Sequence, residues 1–223
     1  MTLEGVEDIS PIELELARDR LVRLLKSQGI VHPEVLGAMI SVPREQFVDD
    51  AFFSRSYENT PLPIGCHQTI SQPYIVALMS YRLISNSIRR STVLEIGTGS
   101  GYQAAVLSKL YKKVYTIERI KGLSVKAKNK LDQLNIRNIE LRYGDGCEGW
   151  LGVPDFDSIM VTAATDQIPR RLLDQMTFGS CLIAPVGRPL CRLLLVVKDN
   201  DGVFTEEATE SVRFVPLLQG ATE

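Results

Sequence analysis

Residues 93–101 read Val-Leu-Glu-Ile-Gly-Thr-Gly-Ser-Gly, an apolar run with one acid that passes into three alternating glycines. A short run of leucine and β-branched residues is typical of a buried parallel strand, and Tyr102 to Leu110 carries apolar side chains at helical spacing. The glycines therefore lie on a strand-to-helix turn. Glycine suits such a turn because its backbone adopts conformations that a Cβ forbids, and because a ligand can approach the main chain closely.

The chain after residue 91 alternates between strand-like and helix-like patterns. This alternation predicts an α/β fold with a doubly wound, mostly parallel sheet. The predicted helices are Tyr102–Leu110, Gly122–Leu134 and Ile168–Met176. The predicted strands are Thr92–Ile96, Lys113–Glu118, Ile139–Tyr143, Asp157–Thr162 and Ser180–Pro185.

The pattern changes near the C-terminus. Two strand-like runs, Arg192–Lys198 and Ser211–Val215, flank Asn200-Asp201-Gly202, in which the Asp-Gly pair is typical of a hairpin turn. We therefore expect an antiparallel C-terminal edge on the parallel sheet.

The N-terminal part of the chain is predicted to be helical. Ser10 can cap a helix that has Pro11 at its first position and Glu13 to complete a capping box. Two shorter helices are predicted to begin at Pro33 and Pro43. The buried stripe of the first helix is expected to comprise Leu14, Leu21, Leu24 and Leu25.

The 223 residues, 44% of them hydrophobic, are enough for one well-buried core. We expect residues 1–90 to form a helical extension and substrate-side segment packed on an α/β core of residues 91–223, the whole making one compact domain. The four cysteines lack metal-ligand spacing and only two histidines accompany them, so reduced thiols and no metal site are expected.

Charge and hydropathy indicate which partners are expected. The net charge is −2 and no basic tract is present, which argues against a general nucleic-acid binder. Met1 to Asp8 is acidic, and no apolar run approaches the roughly 18 residues of a membrane span. We expect a cytoplasmic protein without membrane or nucleic-acid partners.

A second strand-like run, Val114 to Glu118, also ends in an acid, seventeen residues after Gly101. In a βαβ unit this carboxylate lies beside the glycine turn, where it can accept hydrogen bonds from both hydroxyls of a ribose. The glycine spacing is Gly-x-Gly-x-Gly rather than the Gly-x-Gly-x-x-Gly of dinucleotide sites. It resembles the first motif of the S-adenosylmethionine-dependent methyltransferases.

Further polar residues fall at the predicted carboxyl ends of the strands, where open α/β sheets bind their ligands. Glu95 either caps the turn or pairs with the ammonium group of the cofactor. Asp145, followed by Gly146, is either an ordinary turn residue or a hydrogen-bond acceptor for the adenine amino group.

The segment from Pro61 to Ala77 is too apolar to be an ordinary solvated loop, and it leads into a predicted helix, Tyr74–Leu83. Ser71 stands two residues before Pro73, so it can serve as a helix N-cap. A hydroxyl beside free backbone amides at a helix N-terminus is also suited to binding an anion such as an acidic methyl acceptor.

Several separate motifs, spread over about residues 43–217, resemble the protein-L-isoaspartate O-methyltransferases, a family of class I methyltransferases. They are Pro43-Arg44-Glu45-Gln46-Phe47-Val48, Pro61-Leu62-Pro63-Ile64-Gly65, Gln68-Thr69-Ile70-Ser71-Gln72-Pro73-Tyr74, the glycine motif, Gly144-Asp145-Gly146, Val161-Thr162-Ala163-Ala164 and Arg213-Phe214-Val215-Pro216-Leu217. The resemblance implies a seven-stranded Rossmann-like sheet. It also implies a repair enzyme that uses S-adenosyl-L-methionine to methylate the free α-carboxylate of isoaspartyl residues in damaged proteins and peptides.

The resemblance also implies roles for individual residues. Ser71 would be the active-site serine, while Ile70 and Val215 would contact the bound peptide. The residues that would hold the cofactor are Gln68, Thr69, Ser71, Glu95, Gly97, Thr98, Gly99, Gly101, Glu118, Asp145 and Gly146.

This chemistry needs no general base. A carboxylic acid with a pKa near 4 is already ionised at neutral pH, so the chain's shortage of histidine is no obstacle. Cys66-His67 stands where many relatives read His-Gly; His67 either contacts substrate or is solvated. We expect a monomer.

Alternative functions remain open from the residues alone. One is a methyltransferase for another carboxylate or a small molecule, and another is a non-catalytic protein that binds S-adenosylmethionine. A nucleobase methyltransferase would carry an Asn/Asp-Pro-Pro-aromatic tetrapeptide where this chain has Val161-Thr162-Ala163-Ala164, and a nicotinamide dehydrogenase would need the wider glycine spacing.

Overall fold

This computed structural model describes residues 10–153, 155–187 and 190–223. The expectation drawn from Met1 to Asp8 lies outside the described residues. The helices are α1 Pro11–Ser27, α2 Pro33–Ser41, α3 Pro73–Asn86, α4 Tyr102–Leu107, α5 Lys121–Gln133 and α6 Arg170–Asp174. The strands are β1 Leu62–Gly65, β2 Gln68–Ile70, β3 Thr92–Ile96, β4 Lys113–Glu118, β5 Ile139–Tyr143, β6 Phe156–Val161, β7 Met176–Val186, β8 Cys191–Lys198 and β9 Phe204–Val212.

Seven strands form one sheet in the order β5-β4-β3-β6-β7-β8-β9. The pairs from β5 to β7 are parallel, and β8 and β9 extend the sheet antiparallel. All six residues of β6 are buried, as a strand covered on both faces requires. The predicted mostly parallel sheet with an antiparallel edge is confirmed.

The last strand lies earlier in the chain than expected. It begins at Phe204, directly after the Asp-Gly turn, and pairs there with Lys198. The Asp199 carboxylate closes the turn by accepting from the N–H groups of Asp201 and Val203. The prediction of Ser211–Val215 was wrong because β9 is a polar edge strand, which needs backbone pairing rather than an apolar face. Residues 213–215 continue beyond the sheet.

The N-terminal helix begins as predicted. Ser10 donates its N–H to Glu13 and accepts the Glu13 N–H with its hydroxyl, which completes the capping box. Leu21 and Leu25 are buried, but Leu24 is 38% exposed, so its place on the buried stripe was wrong. The segment after Pro43 is a 3-10 helix, Arg44–Phe47.

Strands β1 and β2 form a small antiparallel hairpin. Cys66 and His67 at its tip have φ angles of +52° and +56°, so the backbone of both residues is in the left-handed conformation. Positive φ at both central residues is the conformation of a type I′ turn. The hairpin brings Gln68–Ile70 beside the glycine turn.

The helical layer and the sheet share a hydrophobic core. One cluster joins Leu25 and Leu83 of the N-terminal layer to Val93 of β3, and a second cluster covers the opposite face of the sheet around Leu94 and Ile96. The division of the chain at residue 90 stays a prediction. In the described part of the chain, no helix has the length and apolar character needed to span a membrane.

Candidate active site

A cavity of about 850 Å³ opens at the carboxyl ends of β3, β4 and β6. Strand β3 lies between β4 and β6, so the chain order reverses beside it, and this is where open α/β sheets bind ligands. The predicted site residues on its walls are Gln68, Thr69, Ile70, Ser71, Gly97, Thr98, Gly99, Glu118, Gly146 and Val215.

The glycine turn follows β3 and is closely packed against Thr162. Gly97 has a φ of +98°, and a Cβ at this position would lie 2.5 Å from Thr162 Oγ1. The Thr162 hydroxyl donates to the Gly97 carbonyl at 2.6 Å. Any larger residue at position 97 would therefore be strained and would displace Thr162, the residue directly after β6.

Glu118 lies at the end of β4, where the sequence places it beside the turn. Its carboxylate accepts from the backbone N–H of Gly99 at 2.8 Å and from that of Ile120 at 2.9 Å. The side chain is buried and lines the cavity. Two backbone donors hold the carboxylate in place, so it faces the cavity without a rearrangement.

Ser71 is not the N-cap of α3. The cap residue is Gln72, and Asn59 instead accepts from the Tyr74 N–H at 3.0 Å. In the part of the chain that the structure describes, the Ser71 hydroxyl forms no hydrogen bond. Between the two alternatives for this serine, the geometry favours a hydroxyl that is free for a ligand.

A second cleft, of about 1180 Å³, adjoins the first cavity. Its walls run from Pro61 to Ile75 on one side and from Ser211 to Val215 on the other. The residues that line both the cavity and the second cleft are Thr69, Ser71, Thr162 and Val215. Ser71 therefore stands at the junction of the two.

Arg44 is a residue near the site whose role the sequence analysis missed. Its guanidinium is fully buried, donates to the carbonyls of Ser56 at 2.8 Å and Ser71 at 2.9 Å, and lies 4.8 Å from the centre of the Tyr102 ring. One signal in the sequence indicated a role for Arg44, namely its place in the Pro43–Val48 motif. Nothing in that motif indicates a contact 27 residues away.

Glu95 lies beneath the turn rather than on the cavity wall. Its side chain is fully buried, and one oxygen accepts from the Thr116 hydroxyl at 2.5 Å. Burial raises the pKa of Glu95 to about 8, the Thr116 hydrogen bond opposes this rise, and the charge of Glu118 adds to it. The predicted pairing of Glu95 with the cofactor stays a prediction.

Asp145 and Gly101 also lie off the cavity wall. The Asp145 carboxylate accepts from the N–H groups of Cys147 and Gly220, at 2.8 and 2.7 Å. Gly101 is the N-cap of α4. Gly146, in contrast, lines the cavity and packs so closely on Ile96 that a side chain there would collide with it.

Comparison with known sequences places this chain in a family. The sequence model described as protein-L-isoaspartate(D-aspartate) O-methyltransferase matches residues 16–222. A protein-L-isoaspartate O-methyltransferase of Pseudoalteromonas atlantica is 48% identical over 202 residues, which cover 91% of this chain and 95% of the relative. A protein-L-isoaspartate O-methyltransferase 1 of Shewanella sediminis is 51% identical over 200 residues, 90% of this chain and 93% of the relative.

A solved structure agrees with these sequence matches. It is described as a protein-L-isoaspartate O-methyltransferase of Plasmodium falciparum in complex with S-adenosyl-L-homocysteine. The two structures superpose with a TM-score of 0.79 at 25% identity, covering 90% of this chain and 98% of the other. Because the family model and the relatives span most of its length, this chain belongs to the protein-L-isoaspartate O-methyltransferase family.

Proposed function

We propose that this chain binds S-adenosyl-L-methionine in the cavity at the glycine turn and methylates the α-carboxylate of L-isoaspartyl residues. The peptide that carries the isoaspartyl residue lies in the second cleft, the peptide cleft. The observation that carries this proposal is the shared wall of the two cavities, because a group can pass between two ligands only where their sites meet. Family membership supports the same reaction.

The residues on the cavity wall fit the cofactor. Glu118 presents a fixed carboxylate that can accept from two ribose hydroxyls, and the close-packed glycines let a nucleoside approach the backbone. The Plasmodium falciparum protein has the demethylated form of this cofactor bound, which supports the assignment.

The bound cofactor supplies an electrophilic methyl group on a sulfonium. The peptide carboxylate is ionised at neutral pH, so the enzyme does not have to remove a proton from the nucleophile. We propose that Ser71 donates its free hydroxyl to this carboxylate and orients one oxygen toward the methyl group. A neutral hydroxyl suits the task, because a strong ion pair would stabilise the anion that must react.

Arg44 can support this step without touching either ligand. Its guanidinium holds the carbonyl of Ser71 and packs on Tyr102, a cavity residue at the start of α4. Small displacements of a reacting group are costly in rate, so a rigid link between the two sides of the junction is useful. The expectations of a cytoplasmic monomer without nucleic-acid partners stay predictions.

Transfer of a labelled methyl group tests the proposal. The protein is incubated with methyl-labelled S-adenosylmethionine and either an isoaspartyl peptide or the same peptide with normal aspartate. Base-labile label in the isoaspartyl peptide alone is the expected result, since a carboxyl methyl ester is hydrolysed by base. Cofactor binding with neither peptide labelled would instead support a non-catalytic binding protein. Labelling of both peptides would indicate another carboxylate acceptor.

A further inference from the structure

The peptide cleft contains an arginine for which the reaction gives no role. Among the described residues that line the cleft, Arg213 is the one charged side chain. It is exposed, and it forms no hydrogen bond or ion pair with the rest of the described chain. Nearby arginines are engaged, since Arg82 pairs with Glu210 and Arg192 donates to the carbonyls of Ala208 and Thr209. Arg213 is thus a cation available to a ligand.

Arg213 lies beside the junction rather than at it. Arg213 lines only the peptide cleft, whereas Val215 lines both the cleft and the cofactor cavity. Two residues of extended chain span at most about 7 Å. A peptide that lay in extended conformation along residues 213–215 would have the same spacing, and it would bring a residue one or two positions from the isoaspartyl residue next to Arg213.

This position separates the arginine from the carboxylate that reacts. An ion pair at the reacting carboxylate would stabilise a charge that is lost in the transition state. An ion pair with a flanking carboxylate persists unchanged through the reaction, so it contributes to binding in the ground state and in the transition state alike. The arginine is therefore suited to selecting substrates.

We propose that Arg213 is a specificity-determining residue that favours isoaspartyl sites with an acidic side chain one or two positions away. The proposal rests on the proposed methylation of isoaspartyl peptides in this cleft. A carboxylate at that position meets an unpaired guanidinium, whereas a lysine meets a like charge. The preference of kcat/KM for a glutamate peptide over its glutamine twin is expected to be about fivefold at low salt, the upper range for an accessible ion pair.

The test uses matched isoaspartyl peptides with acetylated N-termini and amidated C-termini, so that no terminal carboxylate competes. Each set varies one position among glutamate, glutamine and lysine, and the four sets cover the first and second residues after the isoaspartyl residue and the first and second residues before it. The value of kcat/KM is expected to fall in the order glutamate, glutamine, lysine in at least one set. Raising the salt concentration reduces the ratio between the first two peptides, because the charges are screened.

Variants separate recognition by Arg213 from general effects on folding. Arg213→Gln brings the glutamate-to-glutamine ratio close to one, and Arg213→Lys retains part of it. The matched control is Arg89→Gln, which removes the same charge from an exposed site between α3 and β3, at the amino ends of the strands. This control variant is expected to keep the full glutamate-to-glutamine ratio of kcat/KM.

Two results would overturn the proposal: equal kcat/KM values for the three peptides in every set, or an Arg213→Gln variant with the glutamate-to-glutamine ratio of the unaltered protein. Absence of methylation of every isoaspartyl peptide would instead refute the proposed function itself.

Discussion

The carboxylate of Asp145 accepts a hydrogen bond from the backbone N–H of Gly220 at 2.7 Å, which ties the end of β5 to the C-terminal segment. The same segment pairs with the start of α5, where Thr222 donates to the Arg119 carbonyl and accepts from the Lys121 N–H. Residues 215–218 of this segment line the cofactor cavity. Asp145 therefore shapes the cavity through the C-terminal segment, even though it is not on the cavity wall.

Replacing Asp145 by Asn is expected to weaken cofactor binding by loosening this segment. A charge-assisted hydrogen bond is worth about 1.5 to 3 kcal/mol, and the part of this loss that opens the segment before binding raises the Kd for S-adenosylhomocysteine, by up to about tenfold. Calorimetric titration measures the Kd, and hydrogen exchange at Gly220 and Thr222 reports the loosening. The control is Lys121→Ala, which removes only the exposed pair with Glu223. Faster exchange with an unchanged Kd would show that the segment does not hold the cofactor.

Ser71→Ala is expected to lower kcat by about ten- to a hundredfold while the Kd for the cofactor stays nearly unchanged. The free hydroxyl is proposed to orient the peptide carboxylate, and a hydrogen bond to a charged group is worth about 1.5 to 3 kcal/mol. Steady-state kinetics with an isoaspartyl peptide measure kcat. Ser27→Ala, at the end of α1, is the matched control. A large loss of cofactor affinity would make Ser71 chiefly structural.

Glu118→Gln is expected to raise the Kd for the cofactor by at least about tenfold, because an amide provides one acceptor where the carboxylate provides two. Titration with S-adenosylhomocysteine measures this, and thermal unfolding without ligand shows whether the turn held by Gly99 and Ile120 survives. An unchanged Kd in a folded variant would refute the assignment of Glu118 to the ribose.

Glu95 is expected to make stability depend on pH. Burial raises its pKa to about 8, from 4.5 without such burial, so the folded protein retains a proton that the unfolded chain loses. The stability of the unaltered protein therefore decreases as the pH rises through this window. Glu95→Gln does not titrate, so its stability relative to the unaltered protein should increase by about 2 kcal/mol from pH 5.5 to 7.5.

Urea unfolding at the two pH values measures this difference, with the exposed Glu206→Gln as control. A difference that does not change with pH would show that Glu95 is ionised in the folded protein throughout this range.

His67→Gly is expected to stabilise the protein by up to about 1 kcal/mol. The left-handed φ of +56° is unfavourable for histidine and free of strain for glycine, although glycine gains more entropy on unfolding. Urea unfolding measures the change. His67→Ala removes the same side chain but keeps the strain, so it should bring no such gain. Destabilisation by glycine would indicate that the histidine side chain contributes contacts of its own.

Much of the fold could be read from local pattern. The predicted bounds of β3, β4 and β5 match the structure, because each strand is a short run rich in leucine, β-branched or aromatic residues. The prediction misplaced the final strand, since the side chains of β9 hardly alternate between buried and exposed. The strand is held instead by backbone pairing with β8. The hairpin of β1 and β2 was not predicted either, as its tip uses two residues, Cys66 and His67, that seldom adopt positive φ.

The sequence by itself determined the glycine turn, the acid that ends β4 and the family to which the chain is similar, because these depend on residue types at fixed short spacings. Only the tertiary structure decided that Glu118 faces the cavity while Glu95 is buried beneath it, and that Ser71 is free rather than a helix cap. It also decided that Arg44 holds Ser71 and that Asp145 holds Gly220. Such contacts join residues far apart in the chain, and no local spacing encodes which backbone group will meet a given side chain.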